Sequence, residues 1–421
     1  MSSEFIESLV SCPKGKKQNV VSYFPLFGSN GDLANHYYRA KWYLPQTTGY
    51  IEEVQFFTDG KLKVGQRPEC FGEAPSSNET HLKLVSEELT PQVLLSSRVI
   101  LVWSKISQEY LDVFKKHGIL VFNVDTHDAN EVEYGNYCKV LWKVFSKVER
   151  DAEIEASRQR FDSFAERLRT NAYKNATVFG TGPSIEKAFD FNFEETLTVI
   201  CNTAILDREL CDHLKPDVVC AGDVVSHFGV SAYAFEFREK LRNFLARTGA
   251  VFFTTAQFGY LFLAHNEDLR DQIIFADQKG DTPNYSLSDN FYLPCLDSTF
   301  NIHMMTMASN FHDEIFVLGC DGKNPDETKN EDFWAHSKRA QMHDLVDTGH
   351  QSHPVFDVHR KQSTWDRYKN STQFTCALGE AFYGKVIRSL APSYTPGLAE
   401  RYLPKESTFK AMLKDSSNMC S

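Results

Sequence analysis

The chain has 421 residues, of which 42% are apolar and 13% aromatic, and a formal net charge of −11. It can bury sizeable cores in more than one unit, and its acidic balance argues against a nucleic-acid binder, which needs clustered Lys and Arg to neutralise phosphates. No run approaches the about 20 apolar residues of a membrane-spanning helix, and the first thirty residues carry no signal-peptide pattern.

The amino-terminal part alternates in type. NVVSYFPLFG reads as a strand, DLANHYYRAKWYL as a helix, YIEEVQFFT and RVILVWS as strands, SQEYLDVFKKHG as a helix and ILVFNVD as a strand. Short β-branched runs separated by helical periods indicate a parallel, layered α/β unit. The charged stretch from Val148 to Asn175 lacks Gly and Pro and has a helical period, which marks a connector. Beyond it the alternation restarts with the strands NATVFG, TLTVICN, PDVVCAGD, AVFFTTAQ and DEIFVLGCD. Between them lie the helices ILDRELCDHL, SAYAFEFREKLRNFLART and NIHMMTMASNF. The expected architecture is therefore two Rossmann-like domains with largely parallel sheets and a cleft between them. Their bounds are 1–150 and 173–400, with a helical connector at 151–172 and a tail at 401–421. The ten cysteines include no C-x-x-C pair and fit reduced thiols in a cytoplasmic protein better than disulfides or a zinc site. The N-x-S/T triplets at Asn78, Asn175 and Asn370 are then chance matches.

Ligands of such sheets gather at the carboxyl ends of the strands. There the sequence VFGTGPSIEKAFDF turns sharply through Gly180, Thr181, Gly182, Pro183 and Ser184. Glycines let a ligand approach the backbone, Ser184 could cap the next helix, and free N–H groups at a helix start suit an anion. The turn is neither a Walker loop nor G-x-G-x-x-G, and a bare strand-to-helix turn explains it equally well. Further strand ends present Asn202, Asp223, Gly319 and Asp321, and Ser298 and Thr299 stand at a helix entry. Each of these residues also reads as an ordinary cap or loop residue. In the first part, Gly28, Asn30, Gly31 and Asp32 stand at a similar turn, which either faces the cleft and touches an acceptor or merely shapes the turn, and Asp125, His127 and Asp128 read better as a strand end than as a metal cluster.

The order of these motifs resembles that of the bacterial CMP-sialic-acid-dependent sialyltransferases of the lipooligosaccharide type and the related motility-associated flagellin glycosyltransferases. The counterparts are GTGPS, ICN, DSTFN, GCD, TGHQSHPVFD and SLAPSYTPGL, between residues 174 and 398. The resemblance implies a GT-B-like or sialyltransferase-like fold. It also implies inverting transfer of a sialic acid, another nonulosonic acid or 3-deoxy-octulosonate from a CMP-sugar to a hydroxyl of a bacterial surface glycan or glycolipid. No metal is then required, because the leaving group carries one phosphate. The nucleotide would lie among Gly180 to Ser184, Asn202, Asp223, Ser298, Thr299 and Gly319, with Asp321 at the reacting centre. The base would be His353, or His350, with Asp357 as orienting partner; His336, His343 and His359 are weaker candidates. Histidine suits the role because it is largely neutral near pH 7. The amino-terminal domain would receive the acceptor.

Departures from the family are Thr181 in place of asparagine and Lys323 in place of a tyrosine that helps the leaving phosphate, with Phe333 and Trp334 as the nearby aromatics. They leave room for two other readings: a pterin pyrophosphokinase-like ATP-dependent diphosphotransferase, and a non-catalytic nucleotide binder on a degenerate transferase fold. The basic stretches CPKGKK and RYLPKESTFKAMLK could touch anionic lipid where acceptors reside, although solvated basic ends are commoner.

Overall fold

The computed structural model describes residues 3–13, 16–73, 79–86, 89–126, 135–324, 336–353 and 362–402. Their strands form two sheets, and every strand pair in both is parallel. The first contains β1 (Gln18–Phe24), β2 (Glu53–Phe57), β3 (Leu82–Val85), β4 (Ser97–Val102) and β5 (Leu120–Asn123), in the order β3-β2-β1-β4-β5. The second contains β6 (Asn175–Phe179), β7 (Thr196–Cys201), β8 (Val218–Cys220), β9 (Val251–Thr255), β10 (Ile273–Ala276), β11 (Glu314–Leu318) and β12 (Val386–Ser389). Its order is β10-β9-β8-β7-β6-β11-β12. The central strands read as nearly continuous apolar runs because both of their faces are covered; β7 and β9 are buried at every position.

The helices are α1 (Ser3–Ser11), α2 (Asn30–Tyr43), α3 (Pro91–Ser96), α4 (Gln108–Lys116), α5 (Asn136–Val144) and α6 (Lys147–Arg169). They continue with α7 (Arg208–Leu214), α8 (Ala232–Thr248), α9 (Ala256–His265), α10 (Met305–Phe311), α11 (Val346–Ser352), α12 (Gln362–Tyr383) and the one-turn α13 (Pro396–Ala399). Local chemistry sets many of their ends. Ser29 starts α2 by accepting from the Asp32 amide, Ser146 and Glu149 form a reciprocal capping box on α6, and Ser231 caps α8, which stops at Gly249 with φ of 71°. The charged stretch expected as a connector is α6, and its Phe161, Phe164 and Leu168 pack into the second sheet's apolar layer. The helix expected over NIHMMTMASNF is in two parts, a π-helical turn at Phe300–Met304 followed by α10.

One apolar core runs through both sheets. It joins Val21, Tyr23, Trp42 and Tyr137 of the first part to Phe228, Phe252, Phe258 and Phe275 of the second. At this junction the buried Arg238 lies 3.7 Å over the Trp42 ring. The Trp42 indole N–H donates to the Phe228 carbonyl at 2.9 Å, and the His265 ring stacks on Trp42 at 4.4 Å. Separate clusters cover the outer faces, around Phe24 and Phe114 on one side and around Val178, Phe253 and Met304 on the other.

Candidate functional site

Strand order reverses between β1 and β4 in the first sheet and between β6 and β11 in the second, and ligands of open parallel sheets bind at such reversals. At the second reversal the Gly180–Ser184 turn meets Gly319 and Asp321. The Gly180 N–H donates to the Leu318 carbonyl at 2.8 Å and the Gly182 N–H to the Gly319 carbonyl at 2.8 Å. The Ser184 N–H donates to the Asp321 carboxylate at 3.2 Å, and the Gly319 N–H to the Ser184 hydroxyl at 3.1 Å. Ser184 thus ties two strand ends together, and Gly182 occupies the N-cap position expected for Ser184.

This contact pattern explains the glycines. A methyl group on Gly180 would meet the Gly319 carbonyl and lie 2.8 Å from the Cys320 sulfur, and one on Gly182 would meet the Asp321 carboxylate. The close approach that needs them is made by β11's own end. Gly319 itself has φ of 75°. Three of the turn's amides are spent on protein acceptors, so a phosphate here would be held chiefly by side chains. Burial pushes the Asp321 carboxyl above its usual range, and its contacts with Ser184 oppose that shift.

Half-buried polar groups surround this junction. Asn202, directly after β7, has φ of 51°, and its side-chain oxygen accepts from the Thr299 hydroxyl at 3.4 Å. Asp223, beyond β8, folds its carboxylate back onto the Val225 and Ser226 amides at 2.9 and 2.5 Å. Ser298, with φ of 77°, accepts from Asn301, whose side chain also reaches Thr372 of α12 at 3.1 Å. Lys323 is half-buried beyond β11, and Pro183 is exposed. Buried Tyr368 of α12 lies within reach of Cys320, Thr372 and Thr395 beside this strand end, and burial raises its phenol pKa.

The histidines divide. His336 Nδ1 is 2.9 Å from the Thr181 hydroxyl, and the Ser337 N–H donates to the Thr181 carbonyl at 2.7 Å, so His336 joins the glycine turn. His353 belongs to a different environment. It is 1% exposed and has Nε2 3.4 Å from Nη1 of Arg39 on α2, which also donates to the Ser352 carbonyl. Burial and that guanidinium push the His353 pKa well below its ordinary value. His350 is half-buried on α11 and His343 is exposed. Asp357, His359, Phe333, Trp334, His127 and Asp128 lie outside the described residues.

Two histidines that the motif reading passed over lie buried beside the same strand ends. His227 Nδ1 accepts from the Asp223 N–H at 3.2 Å, which leaves its proton on Nε2. Burial, then the neighbouring His336 and Arg238, outweigh Asp223 and push its pKa down to about 4. His303 stands on the π-helical turn with its ring against Gly222, where a methyl group would lie 2.7 Å from Cε1. Burial and His227 push its pKa down to about 3. Spacing was the available signal: each follows a strand-end or helix-entry residue, Asp223 or Thr299, by four positions.

Residues 336–353 pack across these strand ends. Beyond His336, the Ser337 hydroxyl donates to Glu186 at 2.8 Å, Thr203 donates to the Ala340 carbonyl at 2.6 Å, and Arg339 pairs with the buried Asp207 at 2.8 Å. Tyr233 of α8 holds Gln341 and Thr348, and Arg39 holds the far end. A hollow of about 540 Å³ lined by Tyr173, Thr196, His213 and Lys215 lies at the amino ends of β6 and β7, away from these groups.

Among the described residues no group of three or more His, Cys, Asp or Glu side chains could hold a metal ion, and no helix is long and apolar enough to cross a membrane. Comparison with family models, with curated proteins and with solved structures finds no match.

Proposed function

We propose that the chain is a cytoplasmic glycosyltransferase that moves a CMP-activated nonulosonic acid or 3-deoxy-octulosonate onto a glycan hydroxyl, working at the carboxyl ends of β6, β7, β8 and β11. The observation that carries this reading is that Thr181, Asn202, Asp223 and Asp321 stand at the carboxyl ends of the neighbouring strands β6, β7, β8 and β11, with GTGPS, ICN, DSTFN and GCD in the chain order of the sialyltransferase motifs and His336 bonded to the first of them. Asn202 and Asp223 would read the nucleoside. Because three of the turn's four amides are spent internally, the phosphate would rest chiefly against the Thr181, Ser298 and Thr299 hydroxyls and Lys323.

His336 takes the role of base in this reading. Thr181, hydrogen-bonded to Nδ1, would orient the imidazole that takes the acceptor's hydroxyl proton as it attacks the anomeric carbon. The bond to the CMP phosphate oxygen breaks with inversion, and the electron pair leaves on the phosphate. No divalent ion enters the step, because the departing group is a monophosphate whose charge hydroxyl and lysine donors can stabilise.

Thermal shift and calorimetry with CMP, CDP, UDP and ATP plus Mg²⁺ test the donor class. CMP at 100 times its Kd should add about 2.7 kcal/mol of stability, and stabilisation by ATP with Mg²⁺ but not by CMP rejects the proposal. CMP release from CMP-N-acetylneuraminate and CMP-3-deoxy-octulosonate, measured with glycan acceptors, tests the chemistry. His336→Ala should lower kcat by about 10²- to 10⁴-fold with CMP affinity kept. Equal loss in His350→Ala or His353→Ala, with His336→Ala active, would move the base back to those positions.

A further inference from the structure

Three buried polar side chains lie beyond the ends of β8 and β9: His227 is 4% exposed, His303 2% and Thr255 4%. The His303 ring stands at 87° to that of Phe253 on β9, with 6.2 Å between centres, and it packs against Gly222, where any side chain would strike it. Thr255 follows Phe253 by two residues and so shares its face of the sheet. Among the described residues neither ring nitrogen of His303 makes a hydrogen bond, and neither does the Thr255 hydroxyl. Thr255 even occupies the N-cap position of α9 without capping it. Buried polar atoms are nearly always bonded, so these orphaned atoms on one face of the sheet mark a place that a group from outside the fold completes. The π-helical turn that carries His303 is itself a distortion found most often at functional sites.

The two rings have opposite polarity. The Asp223 N–H occupies Nδ1 of His227, so His227 offers an N–H from Nε2. The Thr299 carbonyl favours a proton on the His303 nitrogen that faces it, which makes the other nitrogen an acceptor. The rings are close enough to influence each other's charge, yet they are not bonded to one another. A group that completes both must accept from His227 and donate to His303. Burial keeps both rings neutral near pH 7, which suits an uncharged hydroxyl better than a phosphate oxygen. A hydroxyl meets both demands with one atom, whereas the edge of a base needs two.

We propose that His227 and His303 hold one ribose hydroxyl of the nucleotide, His227 donating to its oxygen and its proton pointing to His303, with Thr255 beside them for the neighbouring hydroxyl. This rests on the nucleotide reading of the strand ends, in which the phosphate lies toward Thr181 and the nucleoside extends past Asn202 to Asp223. It gives the sugar partners other than the Asp223 carboxylate, one oxygen of which is already held by the Val225 and Ser226 amides.

Calorimetry on the full chain with CMP, 2′-deoxy-CMP, 3′-deoxy-CMP and UMP tests the proposal. One deoxynucleotide should bind about 10-fold or more weakly than CMP. His303→Phe keeps a ring and removes both orphaned nitrogens, so Tm should hold or rise while the difference between CMP and that deoxynucleotide disappears. His303→Gln, which retains an acceptor, should preserve part of the difference. If both deoxynucleotides bind as CMP does, a water bridges the rings, and this inference falls while the nucleotide reading stands. Discrimination that survives His303→Phe also overturns it, as does a His303-dependent preference for CMP over UMP without one for the ribose hydroxyls, which would assign the rings to the base. Failure of CMP itself to bind removes the nucleotide reading and this inference together.

Discussion

The two strand-order reversals occupy equivalent places in their sheets and are filled in opposite ways. At the β1/β4 reversal Trp103 stacks on Phe27 with ring centres 4.6 Å apart, and its indole N–H donates to the Pro25 carbonyl at 2.6 Å. Beneath them the buried His36 meets the Tyr137 hydroxyl at 2.6 Å. An aromatic plug thus seals the first reversal, while the second is walled by half-buried Asn202, Asp223, Asp321 and His336. Topology nominates both positions, and side-chain chemistry makes only the second a candidate site.

The sharpest way to break that contrast is at the glycine turn. Gly180→Ala forces a methyl group against the Gly319 carbonyl, and overpacking at a backbone contact should cost about 3 kcal/mol. Urea denaturation should record that loss, and CMP binding should disappear with it. Trp103→Ala is the converse experiment. It should cost about 2 kcal/mol, less than a fully buried tryptophan because Trp103 is half-buried, and calorimetry should find CMP affinity unchanged. A loss of CMP affinity in Trp103→Ala would show that the first reversal also serves the site.

A smaller and more graded effect follows from the histidines. His227 and His265 are pushed down to about 4 and His303 to about 3, in each case chiefly by burial. All three bind fewer protons folded than unfolded, where a histidine titrates near about 6.5. Their stabilising contribution is therefore complete above that value and is lost as pH falls toward 4, at about 1.4 kcal/mol per pH unit for each group. Urea midpoints at pH 7.5, 6.0 and 5.0 should fall accordingly. His265→Gln, at the junction of the two parts, should flatten the slope by one proton without altering CMP binding.

Much of the fold was legible because parallel strands covered on both faces are short apolar runs that stop at small or polar residues. TLTVICN ends in the structure at Cys201, and AVFFTTAQ at Thr255. The edge strands β3 and β12 were less legible, since LKLV and VIRS are four residues long and carry charge. The glycine turn was found, but not what crowds it: local sequence cannot say that the neighbour of Gly182 is Asp321, 139 positions away. The same gap separates His353 from His336. Motif spacing favoured His353, but long-range packing places that ring against Arg39 and gives Thr181 to His336.

The apolar core shared by Trp42, Tyr137, Phe228 and Phe258 has a consequence for how the molecule can be taken apart. A cut near residue 150 would leave each fragment with a raw hydrophobic wall and would expose Arg238 without the indole that shields it. The halves should therefore melt in a single transition and resist exchange as interchangeable cassettes.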